Sequence, residues 1–173
     1  MISQYKTGVS PYKLETGQKE AWERCYVPLK NALKKCGERY KNLFLVFEYT
    51  LPGRISKKEV TKLVWPDVLI VSKEKILVLE FKNKPLPADA IEKYMNQAEK
   101  YKHRLEKYHL ESAKRQIDCV LVSTQMKKTR KRVDNGVFCS SDYLDLIIQE
   151  AFPKATKAFN YNVWIESGFI GIE

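Results

Sequence analysis

Apolar residues recur along this chain with two different periods, and the changes of period mark out its elements. From 18 to 35, Ala21, Trp22, Tyr26, Leu29, Ala32 and Leu33 return at steps of one, three and four, the spacing of one helical face. Thr16 stands where an N-cap belongs, and Gly37 where the helix should stop. Residues 43–49 are almost unbroken in their apolarity, a buried strand closed by Leu51-Pro52-Gly53, and a lysine-rich connection fills 54–64. Residues 67–71 and 76–82 read as two more strands, and the short polar stretch 72–75 between them predicts a hairpin. After Pro85 and Pro87 comes the longest helical pattern, 89–110, with a stripe of Ile91, Tyr94, Ala98, Tyr101, Leu105 and Tyr108. Its wet side carries Glu92, Lys93, Glu99, Lys100, Glu106 and Lys107. Then follow a strand at 117–123, a short strand near 137–139 and a helix at 143–152 capped by Ser140 or Ser141. The last segment, 161–173, has the look of a strand with a turn at Gly168.

This order is helix, three strands, helix, strand, then additions. It implies an α/β sandwich in which helices cover a central mixed β-sheet. A chain of 173 residues suits one ordinary domain. The expected division is a polar N-terminal arm, 1–16, and one domain, 17–173, with its core at 17–124 and additions at 125–173. No apolar run approaches the roughly 20 residues of a membrane helix, and the first residues lack the apolar run of a secretory signal. A soluble cytoplasmic protein with no membrane partner is the expectation. The cysteines, at 25, 36, 119 and 139, have no CxxC pairing and read as free thiols rather than as ligands of an iron–sulfur cluster. His103 and His109 lack metal-ligand spacing and read as surface or packing residues. The absence of GxxxxGK[ST] excludes nucleotide hydrolysis through a P-loop.

Charge changes the picture. Lys plus Arg number 31 against 21 Asp plus Glu, a net charge of +10. Lys127, Lys128, Arg130, Lys131 and Arg132 pack five cations into six residues. A surface of that sign attracts polyanions by counterion release, and the run suits a loop that grips phosphates without reading bases. A plain solvated loop has the same composition.

Three charges also stand where strands should be apolar. Asp67 opens one strand, and Glu80 and Lys82 close the next after Ile76–Leu79. Strand residues two apart share a face, so Glu80 and Lys82 emerge together while Phe81 turns away. Hairpin pairing brings Asp67 beside them. Unpaired charges at the edge of an apolar sheet are costly, and a hard divalent cation offsets that cost. Two carboxylates can hold Mg²⁺ or Mn²⁺, and a lysine can orient water or neutralise charge on a phosphoryl oxygen. The structural alternative is an Asp at a strand start and a Glu–Lys pair snorkelling at a strand end.

Pro66-Asp67 followed, after 12 residues, by Glu80-Phe81-Lys82 resembles the signature of the PD-(D/E)xK nuclease superfamily. Gln97 and Tyr101 on the next helix resemble the QxxxY of its RecB-like branch, although the Gly-x-x-Asp wording of that branch is absent. The wording at 18–22 and 47–52 is similar to the nuclease-like module ahead of the motor domain in some phage and defence helicases. The resemblance implies a restriction-endonuclease-like fold with core order αβββαβ. It also implies Asp67, Glu80 and the Phe81 backbone carbonyl as ligands of Mg²⁺ or Mn²⁺, Lys82 in catalysis, and Gln97 and Tyr101 beside the scissile strand. A further acid is expected, with Glu48 preferred over Glu20 and Glu23. The implied activity is hydrolysis of phosphodiesters, in DNA before RNA. From another class comes a catalytically silent nucleic-acid-binding or regulatory module partnered with a helicase.

Overall fold

In the computed structural model the described residues are 16–51 and 64–169, the side chains of 16–22 and of Arg39 excepted. In chain order they form α1 (Thr16–Cys36), β1 (Phe44–Phe47), β2 (Val68–Val71), β3 (Lys75–Lys82), α2 (Ala88–Tyr108) and β4 (Gln116–Ser123). After these come β5 (Arg130–Val133), β6 (Gly136–Ser140), α3 (Leu144–Ala151) and α4 (Tyr161–Ile165). The arm at 1–15, most of the connection at 52–63 with its Pro52-Gly53 turn, and the tail at 170–173 lie outside the described residues.

Six strands make one mixed sheet in the order β1-β2-β3-β4-β6-β5. β1, β2 and β3 pair antiparallel, β3, β4 and β6 parallel, and β5 returns antiparallel at the edge. Connection length explains the change of direction. The β2–β3 turn is short, and the Ser72 hydroxyl accepts from the Lys75 N–H at 2.9 Å and donates to the Lys75 carbonyl at the same distance. Parallel β3 and β4 need a crossover, which α2 supplies. α1 and α3 cover one face, where Leu29, Ala32, Leu144, Ile147 and Ile148 meet Ile70, Leu79, Phe81, Val120 and Val122. α2 covers the other, where Met95, Ala98, Tyr101 and Leu105 meet Val71, Ile76, Val78 and Leu121. With both faces covered, β2 is buried at every position and β3 at all but its ends. Among the described residues no helix is long and apolar enough to cross a membrane.

The boundaries differ from expectation in four places. Thr16 is the first residue of α1, and β1 spans only Phe44–Phe47 because Glu48 leaves the strand at a φ of 48°. Neither Ser140 nor Ser141 caps α3 through its side chain: the Ser140 hydroxyl is engaged with Thr129 and a 3₁₀ turn intervenes. Residues 130–133 of the basic run are edge strand β5 rather than loop. The expected strand from 161 begins as helix α4, because Trp164 is drawn inward and its indole N–H donates to the Ser112 hydroxyl at 2.9 Å. Asn160 caps that helix by accepting from the Asn162 N–H.

Candidate active site

The β2–β3 register pairs Val68 with Leu79, so Asp67 and Glu80 are the next pair along. Alternation turns Leu77, Leu79 and Phe81 toward α1 and α3, and Ile76 and Val78 toward α2. Glu80 and Lys82 continue that second set. The Phe81 N–H donates to Asp67 Oδ2 at 2.7 Å, which ties the start of β2 to the end of β3. Lys82 Nζ donates to Glu80 Oε1 at 2.6 Å. Glu80 is 1% exposed, and its second oxygen, Oε2, is buried with no hydrogen-bond partner.

Burial dominates the electrostatics. It pushes the Glu80 carboxyl up to about 7, helped by the neighbouring Asp67 charge and opposed by Lys82. Asp67 is likewise raised by burial, against the pull of the Phe81 N–H and Lys82. For Lys82 burial acts downward, but Glu80 and Asp67 together outweigh it and the net shift is upward. Two acids that resist ionisation side by side, with one lysine between their charges, form a site short of positive charge.

α2 supplies the wall over this edge. Gln97 Nε2 donates to the Tyr101 hydroxyl at 2.6 Å, across one helical turn. That hydroxyl is shifted upward by burial first, and by the Glu80 and Asp67 charges as well. Tyr94, one turn nearer the helix start than Gln97 and Ala98, has Lys82 Nζ 4.5 Å and Lys84 Nζ 5.2 Å from its ring centre. Its hydroxyl is shifted downward, chiefly by a hydrogen bond from Lys84.

Of the candidate residues, Asp67, Glu80, Lys82, Gln97 and Tyr101 are thus brought to one sheet edge and the helix above it. Glu48 is not brought in as an acid: its side chain is exposed, and its contact is the backbone N–H donated to the Asp67 carbonyl at 3.2 Å. Glu23 is exposed on α1, beside a groove that also includes Asn83 and Thr124. The Glu20 side chain lies outside the described residues. Among the described residues no three His, Cys, Asp or Glu side chains are grouped to hold a metal ion. The donor set is therefore the two carboxylates with a backbone carbonyl.

The basic run shares this edge. Arg130 pairs with Cys139, Cys139 with Val122 and Val122 with Phe81, one row across the sheet. Three strand spacings separate its ends, about 14 Å. Lys127, Lys128, Lys131 and Arg132 are exposed. Arg130 is engaged: its guanidinium forks onto Glu150, at 2.8 and 2.5 Å. The Lys128 N–H donates to Asp142 Oδ2 at 2.7 Å, which holds the loop at a φ of 48°.

Several residues at the edge carry no motif. Cys25 on α1 is close enough for Asp67 and Glu80 to help raise its thiol, after burial, to about 12, so it is a packing residue and not a nucleophile. Tyr94 reads in the sequence as one more member of an apolar stripe. Trp65, two residues before Asp67, is 49% exposed, and its indole N–H donates to Thr50 Oγ1 at 3.0 Å. An apolar aromatic beside Pro66-Asp67 was the available signal, but only the structure shows that it faces solvent.

Compared with protein-family models the chain matches none, and no curated protein matches it in sequence.

Proposed function

We propose that this protein is a metal-dependent nuclease of the PD-(D/E)xK type, hydrolysing phosphodiester bonds in DNA. The observation that carries the reading is the Glu80 carboxylate: fully buried, facing the Asp67 pair position, with one oxygen on Lys82 and the other on nothing. A buried carboxylate oxygen without a partner costs on the order of 1–3 kcal/mol, more when charged, and sites of function are where such a cost persists. The element order through β4 supports a restriction-endonuclease-like sandwich.

The residues fit a hard divalent ion. Asp67, Glu80 and the Phe81 carbonyl would hold Mg²⁺ or Mn²⁺, all three being the oxygen donors such ions require. The chemistry supplied by an ion bound there is polarisation of the scissile phosphate and acidification of water. Lys82, held at the Glu80 carboxylate, orients the attacking water or neutralises charge on the phosphoryl oxygens. Gln97 and Tyr101 form a joined polar pair that positions the scissile strand.

The test is cleavage of linear, circular and single-stranded DNA with Mg²⁺, with Mn²⁺ and with EDTA. Asp67→Asn and Glu80→Gln should each abolish cleavage with the fold retained, and should remove any rise in melting temperature caused by Mn²⁺. A rise that survives both substitutions overturns the ligand assignment. Lys82→Ala should leave DNA binding in place and lower turnover by about 10²–10³-fold, the scale of one transition-state interaction removed.

One observation favours a second reading. The Lys82–Glu80 pair is closed on itself, and among the described residues no third acid joins it, as suits a silent nucleic-acid-binding module partnered with a helicase. DNA binding without cleavage under every metal condition would select that reading.

A further inference from the structure

Most of the aromatic surface in this fold is spent on packing. Trp164 is 1% exposed within a cluster with Tyr49, His109 and Phe169, and Phe44 stacks on Tyr161. Trp65 is the exception among the described tryptophans. Half of the indole faces solvent, although burying such a ring is worth several kcal/mol in a core, about 25 cal/mol for each Å² removed from water. The ring is also held. Its N–H is fixed on Thr50 Oγ1, and the next residue, Pro66, is buried with a restricted φ. A rigid, exposed aromatic face therefore stands two residues from Asp67.

Its surroundings are cationic. Lys82, Lys84 and Lys93 all lie within 5.9 Å of the Tyr94 ring centre, and Lys84 and Lys93 are exposed. Exposed lysines beside a free aromatic face suit a strand whose phosphates meet the cations while a base meets the ring. Bases in an intact duplex are stacked on each other and offer no free face, so this combination selects an unpaired strand.

We infer that the Trp65 indole is a stacking platform for a base of single-stranded DNA, held beside the carboxylate edge. The inference rests on the nuclease reading for its purpose, but not for its test. Every base has a π-face, so the contact is tolerant of sequence and contributes affinity rather than discrimination.

Binding is measured in EDTA, with a fluorescent oligothymidine and with a blunt duplex of equal length. Trp65→Ala should weaken binding of the single strand about ten-fold or more, and Trp65→Phe should restore most of it, because phenylalanine keeps a π-face. Duplex affinity should be unchanged by either substitution. The oligonucleotide should also quench tryptophan emission in the native protein and not in Trp65→Phe. Single-strand affinity unaltered in Trp65→Ala, or an equal loss for the duplex, overturns the inference. The two readings fail separately. Cleavage by the native protein with no Trp65 effect removes the platform alone. A Trp65-dependent affinity in a protein that never cleaves removes the nuclease alone.

Discussion

His109 shows at the scale of one residue how burial sets chemistry without making a site. Ser112 donates its backbone N–H to Nδ1 at 3.1 Å, so Nδ1 is the unprotonated nitrogen, and the proton belongs on Nε2, 3.1 Å from the Tyr49 hydroxyl. The ring is fully buried, and burial, aided by nearby Arg115 and opposed by Glu111, pushes its pKa down to about 4. The unfolded chain takes up a proton below about 6.5, whereas the folded protein resists it until about 4. Folding therefore has the full benefit of neutral His109 above about 6.5, and that benefit drains away as pH falls through the window. The decline should be on the order of 3 kcal/mol. Urea unfolding at pH steps from 7 to 4 tests this. His109→Gln should be less stable at pH 7 yet show a shallower fall toward acid, and parallel curves for the two proteins would refute the account.

Elements add constraints that no single residue carries. The flanks of α2 differ in sign: Lys93, Lys100 and Lys107 recur every seventh residue on one, and Glu92, Glu99 and Glu106 on the other. The acidic flank faces the β5–β6 hairpin, where the Asn135 amide donates to Glu99 at 2.7 Å. That contact needs the hairpin close to both α2 and β4, and Gly136 is what permits it. A Cβ built there, at a φ of +155°, would strike the Cys119 carbonyl oxygen and lie 2.8 Å from the Met95 methyl. The backbone oxygen cannot move aside without disturbing the β4–β6 ladder. Gly136→Ala should therefore cost on the order of 3 kcal/mol, from strain and overpacking together. Gly168→Ala is the control, since an added methyl there meets nothing within 4 Å, and its urea midpoint should hardly move.

For the whole molecule the question is how a charge of +10 is distributed with respect to one acidic edge. The Arg130–Cys139–Val122–Phe81 row sets the basic run about 14 Å from the carboxylates on the same rim, a few phosphates away along a strand. Arg130 is neutralised by Glu150, so the cations open to a phosphate are a subset of the run. Neutralising Lys127, Lys128, Lys131 and Arg132 together should weaken DNA binding uniformly across sequences. The salt dependence should flatten by about one unit of log–log slope for each phosphate that the variant no longer engages. Cleavage at saturating substrate should persist, because none of these residues is among the donors. An unchanged slope in binding curves at several salt concentrations would make this rim a solvated surface.

The sequence by itself determined what depends on short range. Period 3.6 across α1 and α2, apolar runs for the strands, and a short polar turn between β2 and β3 suffice for the helices, the hairpin and the alternation that sends Glu80 and Lys82 one way and Phe81 the other. Asp67, Glu80 and Lys82 could be grouped for the same reason, since pairing in a tight hairpin follows from chain connectivity. Long-range contacts decided the rest. Glu48 has the parity of a site acid but turns out of the strand where β1 ends. Residues 130–133 look like a charged loop, yet β6 recruits them as an edge strand, since an edge needs only one buried face. Residues 161–165 carry strand-like composition, and Trp164 is instead pulled down as a helix onto Ser112, 52 positions away. Whether Trp65 lies in the core or in solvent is likewise a matter of what the rest of the chain leaves uncovered, which no local pattern records.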